Sequence, residues 1–246
     1  MPPAPRREAP PSPSPSPAVT PRSAQPPPVY SPSTWLGVEL VQDLSLINTA
    51  QRVCSDDPSN GDYDCYDSNG DRFAGSAHPD FGNEVNGGLA PSTTRLLASV
   101  QYVLDERYGI QVRAGLVIGG AARDSGPYHL ELGGRYWFGE DFNSSRGFIG
   151  AGLGYASYDS SVEVTVLDCS ESSDPDACLA SSTSVDGRDE MLTAVRRYGR
   201  GFASVSGGVL LMLGRYQGLL LQTALIGTLT GGGIVIEPSI GYSRGF

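Results

Sequence analysis

The chain has 246 residues, a formal net charge of −10 and 39% hydrophobic residues. The negative charge argues against nucleic-acid binding, because a phosphate backbone is recognised chiefly through lysine and arginine. No stretch reaches the ~18 to 20 apolar residues of a transmembrane helix, which argues against a helical membrane protein.

The first 33 residues are rich in proline and poor in large apolar side chains. They hold 13 of the 19 prolines of the chain. Such a segment cannot bury enough surface to offset its ordering entropy, so we predict a disordered, semi-rigid linker over residues 1–33. One domain remains, residues 34–246. Met1 is followed by proline and arginine where a signal peptide has an apolar core, so we expect an export signal upstream, a longer parent protein or a mature form without its leader.

Alternation with period two predicts eight strands in this domain. In the first strand, Leu36, Val38 and Leu40 share one face, and Glu39 and Asp43 share the other. The predicted strands cover residues 34–46, 95–105, 110–120, 128–138, 147–158, 199–213, 218–229 and 234–246. We therefore predict an all-β fold, an antiparallel up-and-down barrel with one apolar face and one polar, glycine-rich face.

The connections between the predicted strands alternate in length. Those after the second, fourth and sixth strands are brief, whereas residues 47–92 and a segment around residues 169–190 follow the first and fifth strands. Both long segments therefore leave the same end of the barrel. Both chain termini and the brief connections lie at the other end, which we call the short-turn end.

The two long segments carry the excess negative charge and all four cysteines. Residues 47–92 contain eight acidic residues against two arginines, and residues 167–190 contain seven against one. The cysteines form two short-range pairs, Cys54 with Cys65 and Cys169 with Cys178. We favour two local disulfides in an oxidising compartment over zinc ligands or free thiols, because no C-x-x-C spacing is present.

The charges on the polar face distinguish a membrane barrel from a soluble one, which points its apolar face inward. This face carries both signs of charge among glycines and serines, at Glu39, Asp43, Arg95, Asp105, Arg113, His129, Glu131, Arg135 and Glu237. Eight strands enclose an interior just wide enough for side chains, so these charges can pair there while the aliphatic face meets lipid. We therefore predict a transmembrane barrel with a charge network in its lumen.

Aromatic residues gather near both ends of the predicted strands, which is typical of the interfacial girdles of membrane barrels. At the short-turn end the predicted girdle contains Trp35, Tyr108, Tyr136, Trp137, Phe138, Phe142, Phe148, Tyr216, Tyr242 and Phe246. At the other end it contains Tyr128, Tyr155, Tyr158, Tyr198 and Phe202.

The last strand, "IVIEPSIGYSRGF", places aromatic or aliphatic residues at alternate positions back from its terminal phenylalanine, at Ile236, Ile240, Tyr242 and Phe246. This pattern resembles the assembly signal of bacterial outer-membrane β-barrels, and the resemblance covers residues 34–246. It implies an outer-membrane location, membrane lipid as surroundings and recognition by the barrel-assembly machinery. The proline-rich lead, "DCYDSNGDRFAG", "RYWFG" and "EPSIGYSRGF" are also similar to barrel domains of myxobacterial proteins, which implies a periplasmic linker and no activity.

The stretch "DYDCYDSNGD" brings several oxygen-bearing side chains close together, at Asp62, Asp64, Asp67, Asn69 and Asp71. Carboxylate and amide oxygens at alternate positions are typical of Ca²⁺ loops. Aligning Gly70 with the EF-hand glycine, however, puts Cys65 at the first ligand position and Ser76 at the closing one. We favour a solvated acidic loop over a weak Ca²⁺ site, and we expect no other cofactor.

Three functions remain open for such a barrel. The predicted one is a monomeric, non-catalytic membrane anchor or interaction platform with two disulfide-stapled acidic external loops. One alternative is a soluble, periplasmic lipocalin-like binding barrel. The other is a lipid-modifying outer-membrane hydrolase using His129 and Glu131, although both are expected in the lumen and no serine is fixed by spacing. A pore is disfavoured, because arginine and glutamate fill the interior.

Overall fold

The computed structural model describes residues 32–55, 61–120, 127–139, 144–181 and 187–246. These residues form β1 (Thr34–Ile47), β2 (Tyr63–Tyr66), β3 (Gly88–Val103), β4 (Tyr108–Gly119), β5 (Tyr128–Trp137), β6 (Arg146–Ala156), β7 (Asp159–Asp168), α1 (Pro175–Ala180), β8 (Arg188–Arg197), β9 (Gly201–Gly214), β10 (Gln217–Thr228) and β11 (Ile234–Gly245). Within these ranges no helix has the length and apolar character needed to cross a membrane. The predicted linker lies outside them except for Pro32 and Ser33.

Eight of the described strands close into an antiparallel barrel in the order β1-β11-β10-β9-β6-β5-β4-β3. The first strand pairs with β3 on one side and with the last strand on the other, so the barrel has no free edge. The predicted up-and-down fold with eight barrel strands is confirmed. Closure is completed at the chain end, where the Phe246 amide donates to the Thr34 carbonyl at 2.8 Å.

The boundary of β3 differs most from its prediction, because this strand begins at Gly88 rather than at Arg95. Its pairing shifts register between Gln42 and Leu44 on the β1 side and between Thr94 and Arg95 on the β4 side. A bulge interrupts the alternation of side chains. The pattern of period two therefore could not be followed through this point.

Side chains on the barrel strands point alternately out of the barrel and into it. The aliphatic side chains Leu40, Val112 and Leu132 are exposed by 48%, 41% and 60%. The charged residues that alternate with them are buried: Glu39, Arg113 and Glu131 are exposed by 1%, 3% and 8%. The barrel therefore has an apolar exterior and a charged interior, the reverse of a soluble barrel.

A second sheet of three strands, ordered β2-β8-β7, stands on the end of the barrel that carries the long connections. This sheet corrects the sequence interpretation, which predicted no strand over its residues and left them in the connections between barrel strands. Strands β7 and β8 form a regular antiparallel hairpin from Asp159 paired with Arg197 to Asp168 paired with Arg188. We call the sheet, together with α1 and the described parts of residues 48–87, the external module, because it lies outside the barrel.

The predicted disulfides are both present, Cys54–Cys65 and Cys169–Cys178. Their Cα atoms are 5.4 and 5.7 Å apart, within the usual range for a disulfide. The first joins β2 to the segment that follows β1, and the second joins the segment after β7 to α1. Each therefore closes a short loop inside the external module.

The external module packs on the barrel mouth through a buried apolar core. Tyr63 from β2, Leu192 from β8 and Val166 from β7 belong to one cluster with Phe202 and Ile226 of the barrel. Burial, with a smaller contribution from Tyr198, raises the pKa of the Tyr63 hydroxyl above its ordinary value, so the ring stays neutral. Barrel and module thus share one core.

Candidate functional site

The lumen is centred on Arg113 of β4, which meets three carboxylates. Its Nη1 donates to Oε2 of Glu131 at 2.6 Å and lies 3.0 Å from Oε1 of Glu237, and its Nη2 lies 3.0 Å from Oε2 of Glu39. Glu131 is the direct neighbour of Arg113 on β5, whereas the other two carboxylates come from the strand pair β1–β11. Arg113 therefore ties two regions of the barrel wall together through the lumen.

A second charged group lies nearer the external mouth. Nη2 of Arg95 is 2.9 Å from Oδ2 of Asp43, and its Nη1 is 3.0 Å from Nδ1 of His129. The same arginine donates to the backbone carbonyl of Ser157 at 2.6 Å and lies 4.2 Å from the ring centre of Tyr158. Residues between β6 and β7 are thereby held inside the mouth of the barrel.

Arg135, predicted to pair with carboxylates, meets amides instead. Its guanidinium donates to the side-chain oxygens of Gln101 and Gln222 and lies 4.3 Å from the ring centre of Phe148. Because β5 places Arg135 four residues from Glu131 on the same inward face, it lies closer to the short-turn end than the Arg113 cluster does. The sequence showed which charges share a face but not which of them meet.

Asp105 was predicted in the lumen network and lies outside it. Strand β3 ends at Val103, and the chain turns over residues 104–107 before β4 begins. The exposed Asp105 carboxylate accepts hydrogen bonds from the backbone amides of Arg107 and Tyr108 at 2.7 and 2.8 Å. Aspartate stabilises turns in this way, so the residue belongs to the turn rather than to the strand face.

Apolar side chains close the lumen at the short-turn end. Trp35, Trp137 and Phe148 form a buried cluster there with Leu210 and Leu220. The three aromatic residues were predicted in the lipid-facing girdle, but each occupies a strand position of inward parity. Strand geometry therefore makes them a plug and not part of the girdle.

The aromatic girdles are consequently smaller than predicted. Tyr158, Tyr198 and Phe202 are buried beneath the external module, and Phe142 lies outside the described residues. The outward aromatic residues at the short-turn end include Tyr102, Tyr108, Phe138, Tyr242 and Phe246, and those at the external end include Tyr128 and Tyr155. Outward aromatic residues therefore remain at both ends of the apolar surface, and Tyr128 and Tyr155 lie on the neighbouring strands β5 and β6.

Glycines on the inner face of β6 make room for the charged side chains. A Cβ atom at Gly152 would collide with the carboxylate of Glu131, and one at Gly154 would collide with the ring of Phe202. The lumen cavity bounded by Gln111, Arg113, Arg135 and their neighbours measures about 10 Å³. That is space for roughly one water molecule, so side chains fill this part of the lumen.

The residues of the hydrolase alternative, His129 and Glu131, lie close together in the lumen, and Ser204 lies beside Glu131. Nε2 of His129 is 3.6 Å from Oε2 of Glu131, and the Ser204 hydroxyl donates to Oε1 of Glu131 at 2.6 Å. The serine therefore bonds to the acid and not to the histidine, which is not the order of a nucleophilic triad. His129 is also only 2% exposed, with its ring centre 5.4 Å from that of Phe202.

The acidic loop around β2 uses its oxygens internally. Oδ1 of Asp67 accepts the backbone amides of Asn69 and Asp71, each at 2.9 Å. Asp64 lies 3.3 Å from Arg72, and Asp62 occupies a left-handed backbone conformation with φ of 62°. In the part of the chain that the structure describes, no group of three or more His, Cys, Asp or Glu side chains is placed to hold a metal ion.

The alternate residues of the last strand face outward. Ile240, Tyr242 and Phe246 are exposed by about half, while Ile236 is partly buried. They lie on the apolar exterior beside Leu36 and Leu40, which pair with Arg244 and Ile240.

Removing one disulfide should open the external module without unfolding the barrel. In the variant with Cys54→Ser and Cys65→Ser, we expect residues 48–66 to become cleavable by protease. Val53 and Tyr63 belong to the shared core, and the short loop between them loses its crosslink in this variant. Limited proteolysis in detergent measures this, and heat-modifiable gel migration reports the barrel. In the matched control, Cys169→Ser with Cys178→Ser, new cleavage should be confined to the β7–β8 connection. A cleavage pattern identical to that of the parent would contradict the prediction.

No family model matches the chain, and no curated protein matches it. Among solved structures it is similar to Neisserial surface protein A, with 12% identity and a TM-score of 0.39 over 87% of this chain and 97% of that one. It is similar to the N-terminal β-barrel domain of Pseudomonas aeruginosa OprF, with 10% identity and a TM-score of 0.36 over 84% and 96%. It is also similar to Ail, the attachment invasion locus protein of Yersinia pestis, with 8% identity and a TM-score of 0.39 over 88% and 100%.

Proposed function

We propose that the chain is a barrel of the bacterial outer membrane that anchors a disulfide-clipped external module as an interaction platform. The barrel holds the module at the cell surface, the lumen network makes the barrel rigid, and neither transport nor catalysis is part of the function. The linker, residues 1–33, leaves the short-turn end and lies in the periplasm. We expect a monomer that is inserted by the outer-membrane barrel-assembly machinery.

The observation that carries this proposal is the polarity of the barrel wall. The charged residues of the described barrel strands are buried, apart from Arg244 beside the chain end. Exposed leucine, isoleucine and valine side chains cover the wall instead. Such a continuous apolar surface is far larger than the few hundred Å² that a soluble monomer normally exposes.

The height of the apolar surface fits a membrane of this kind. On β1 the outward residues run from Leu36 to Leu46, ten residues apart, with exposed leucines at both ends. At about 3.3 Å per residue the band is roughly 33 Å long. A strand tilt of about 40° reduces this to roughly 25 Å, the usual height of the apolar band on outer-membrane barrels.

The two alternatives fit this geometry less well. A lipocalin-like barrel needs an apolar cavity inside, whereas this lumen holds buried ion pairs, and the cavity beside them measures about 10 Å³. A lipid-modifying hydrolase needs its histidine at the lipid boundary, whereas His129 is buried within the lumen. The plugged ends and the packed interior also support an anchor over a channel.

Detergent dependence and surface exposure test the proposal. The full chain should be monodisperse in detergent only, and its folded form should migrate differently on a gel before and after heating. Protease added to intact cells should reach the external module after reduction of its disulfides, and the residues of the linker should stay protected. A protein that is monodisperse in plain buffer, or a linker that external protease removes, would refute it.

A further inference from the structure

The external module carries a polar groove on the face turned away from the shared core. Tyr66 and Asn69 lie on one side, Glu163 and Thr193 lie along the sheet, and Arg197 and Arg200 lie at the barrel end. Its volume is about 930 Å³, which falls within the range of small-molecule sites. The groove is therefore large enough for a saccharide and has the side chains to bind one.

The charges of the groove are graded along the barrel axis. Arg197 pairs in register with Asp159 at the start of β7, next to the barrel, and Arg200 immediately precedes β9. Glu163 is four residues farther along β7, roughly 13 Å away at the usual strand spacing. Asp159 is only 3% exposed, and the Asp67 carboxylate is held by two backbone amides. The barrel end of the groove therefore presents mainly guanidinium groups.

The contact between Arg200 and Tyr155 shows at which level of the membrane the basic end of the groove lies. Nη1 of Arg200 donates to the Tyr155 hydroxyl at 3.1 Å. Tyr155 is about half exposed on the outward face of β6, one residue from the end of the strand. Tyrosines at such positions lie at the level of the lipid headgroups. The basic end of the groove thus opens at the headgroup layer of the outer leaflet.

We propose that the groove binds the phosphorylated saccharide headgroup of an outer-leaflet glycolipid. Arg197 and Arg200 contact the phosphate, because guanidinium forks match phosphate oxygens, and the hydroxyl and amide groups farther along contact the sugar. Arg197 donates to the Tyr66 hydroxyl at 3.1 Å and lies 3.9 Å from the Asp64 carboxylate, which leaves donors for a ligand. The inference rests on the membrane placement proposed above.

The test is a calorimetric titration of the full chain in detergent micelles with deacylated lipopolysaccharide, a water-soluble phosphorylated saccharide. Arg197→Gln and Arg200→Gln should each raise the dissociation constant about tenfold or more, the loss expected for one hydrogen bond to a charged group. The matched control is Arg188→Gln on the same strand, an exposed arginine 3.4 Å from Glu171 at the far end of the module. Its dissociation constant should equal that of the parent.

Several results would overturn the assignment. Equal weakening by Arg188→Gln would show general attraction between charges, and equal binding of the dephosphorylated saccharide would show a neutral sugar site. Inorganic phosphate that binds as tightly as the saccharide would show a free-phosphate site. Gel migration before and after heating is recorded for every sample. A folded, detergent-dependent barrel that binds nothing refutes the groove alone, whereas a protein folded without detergent refutes the membrane proposal.

Discussion

Arg113→Ala should destabilise the barrel by about 3–5 kcal/mol, the cost of leaving buried charges without their partner. The substitution removes the one guanidinium that contacts Glu39, Glu131 and Glu237 together. All three carboxylates are buried, so the substitution leaves them without a cationic partner inside the barrel. The measurement is the free energy of unfolding in urea, with the folded fraction read from gel migration in vesicles.

Arg135→Ala is the matched control for this prediction, since it removes a buried arginine four positions nearer the short-turn end on the neighbouring strand. Arg135 bonds to the amides of Gln101 and Gln222 and contacts the ring of Phe148. Its loss leaves neutral amide groups unpaired, and each costs about 1–3 kcal/mol, less than a buried charge that loses its partner. If the two variants unfold at the same urea concentration, Arg113 is not the centre of the lumen network.

Much of the barrel could be predicted because two signals coincide along its strands. In β4, for example, Val112 and Ala114 flank Arg113, so apolarity and charge alternate with the same period. A one-residue error in register would place Arg113 in lipid, and this penalty makes the pattern unambiguous. The cysteine pairs were predictable for a different reason. The two cysteines of each pair are 11 and 9 residues apart in the chain, whereas the two pairs are far from each other, so each cysteine has one near partner.

The external module could not be predicted with the same method. Strand β7 does alternate, with Val162, Val164 and Val166 on one face, but it lies beside an acidic, cysteine-bearing segment that resembles a loop. Its partner β8 has no comparable pattern, and β2 pairs with β8 across more than a hundred residues. Pairing of this kind depends on the shared core above the barrel mouth, which a local pattern does not contain.

The groove residues were missed for a related reason. Arg197 and Arg200 lie three residues apart in "VRRYGRGF", which resembles an ordinary basic turn. Only the folded module brings them beside Tyr66 and next to the outward Tyr155. The lumen partners were similarly uncertain, because the stagger of the strands decides which inward charges meet across a barrel.

Leu132→Arg should reduce the stability of the membrane-inserted barrel by about 2–4 kcal/mol, the cost measured for arginine at the bilayer midplane. Leu132 is 60% exposed near the middle of β5, paired with Val112 and Leu153 on the apolar surface.

The matched control is Leu229→Arg, at a leucine that is 68% exposed just beyond the external end of β10. There the guanidinium reaches the headgroup layer, and the cost should fall to about 0–1 kcal/mol. Unfolding titrations in vesicles compare the two variants. Equal costs would mean that no hydrocarbon surrounds the middle of the barrel, since water would treat the two surface arginines alike.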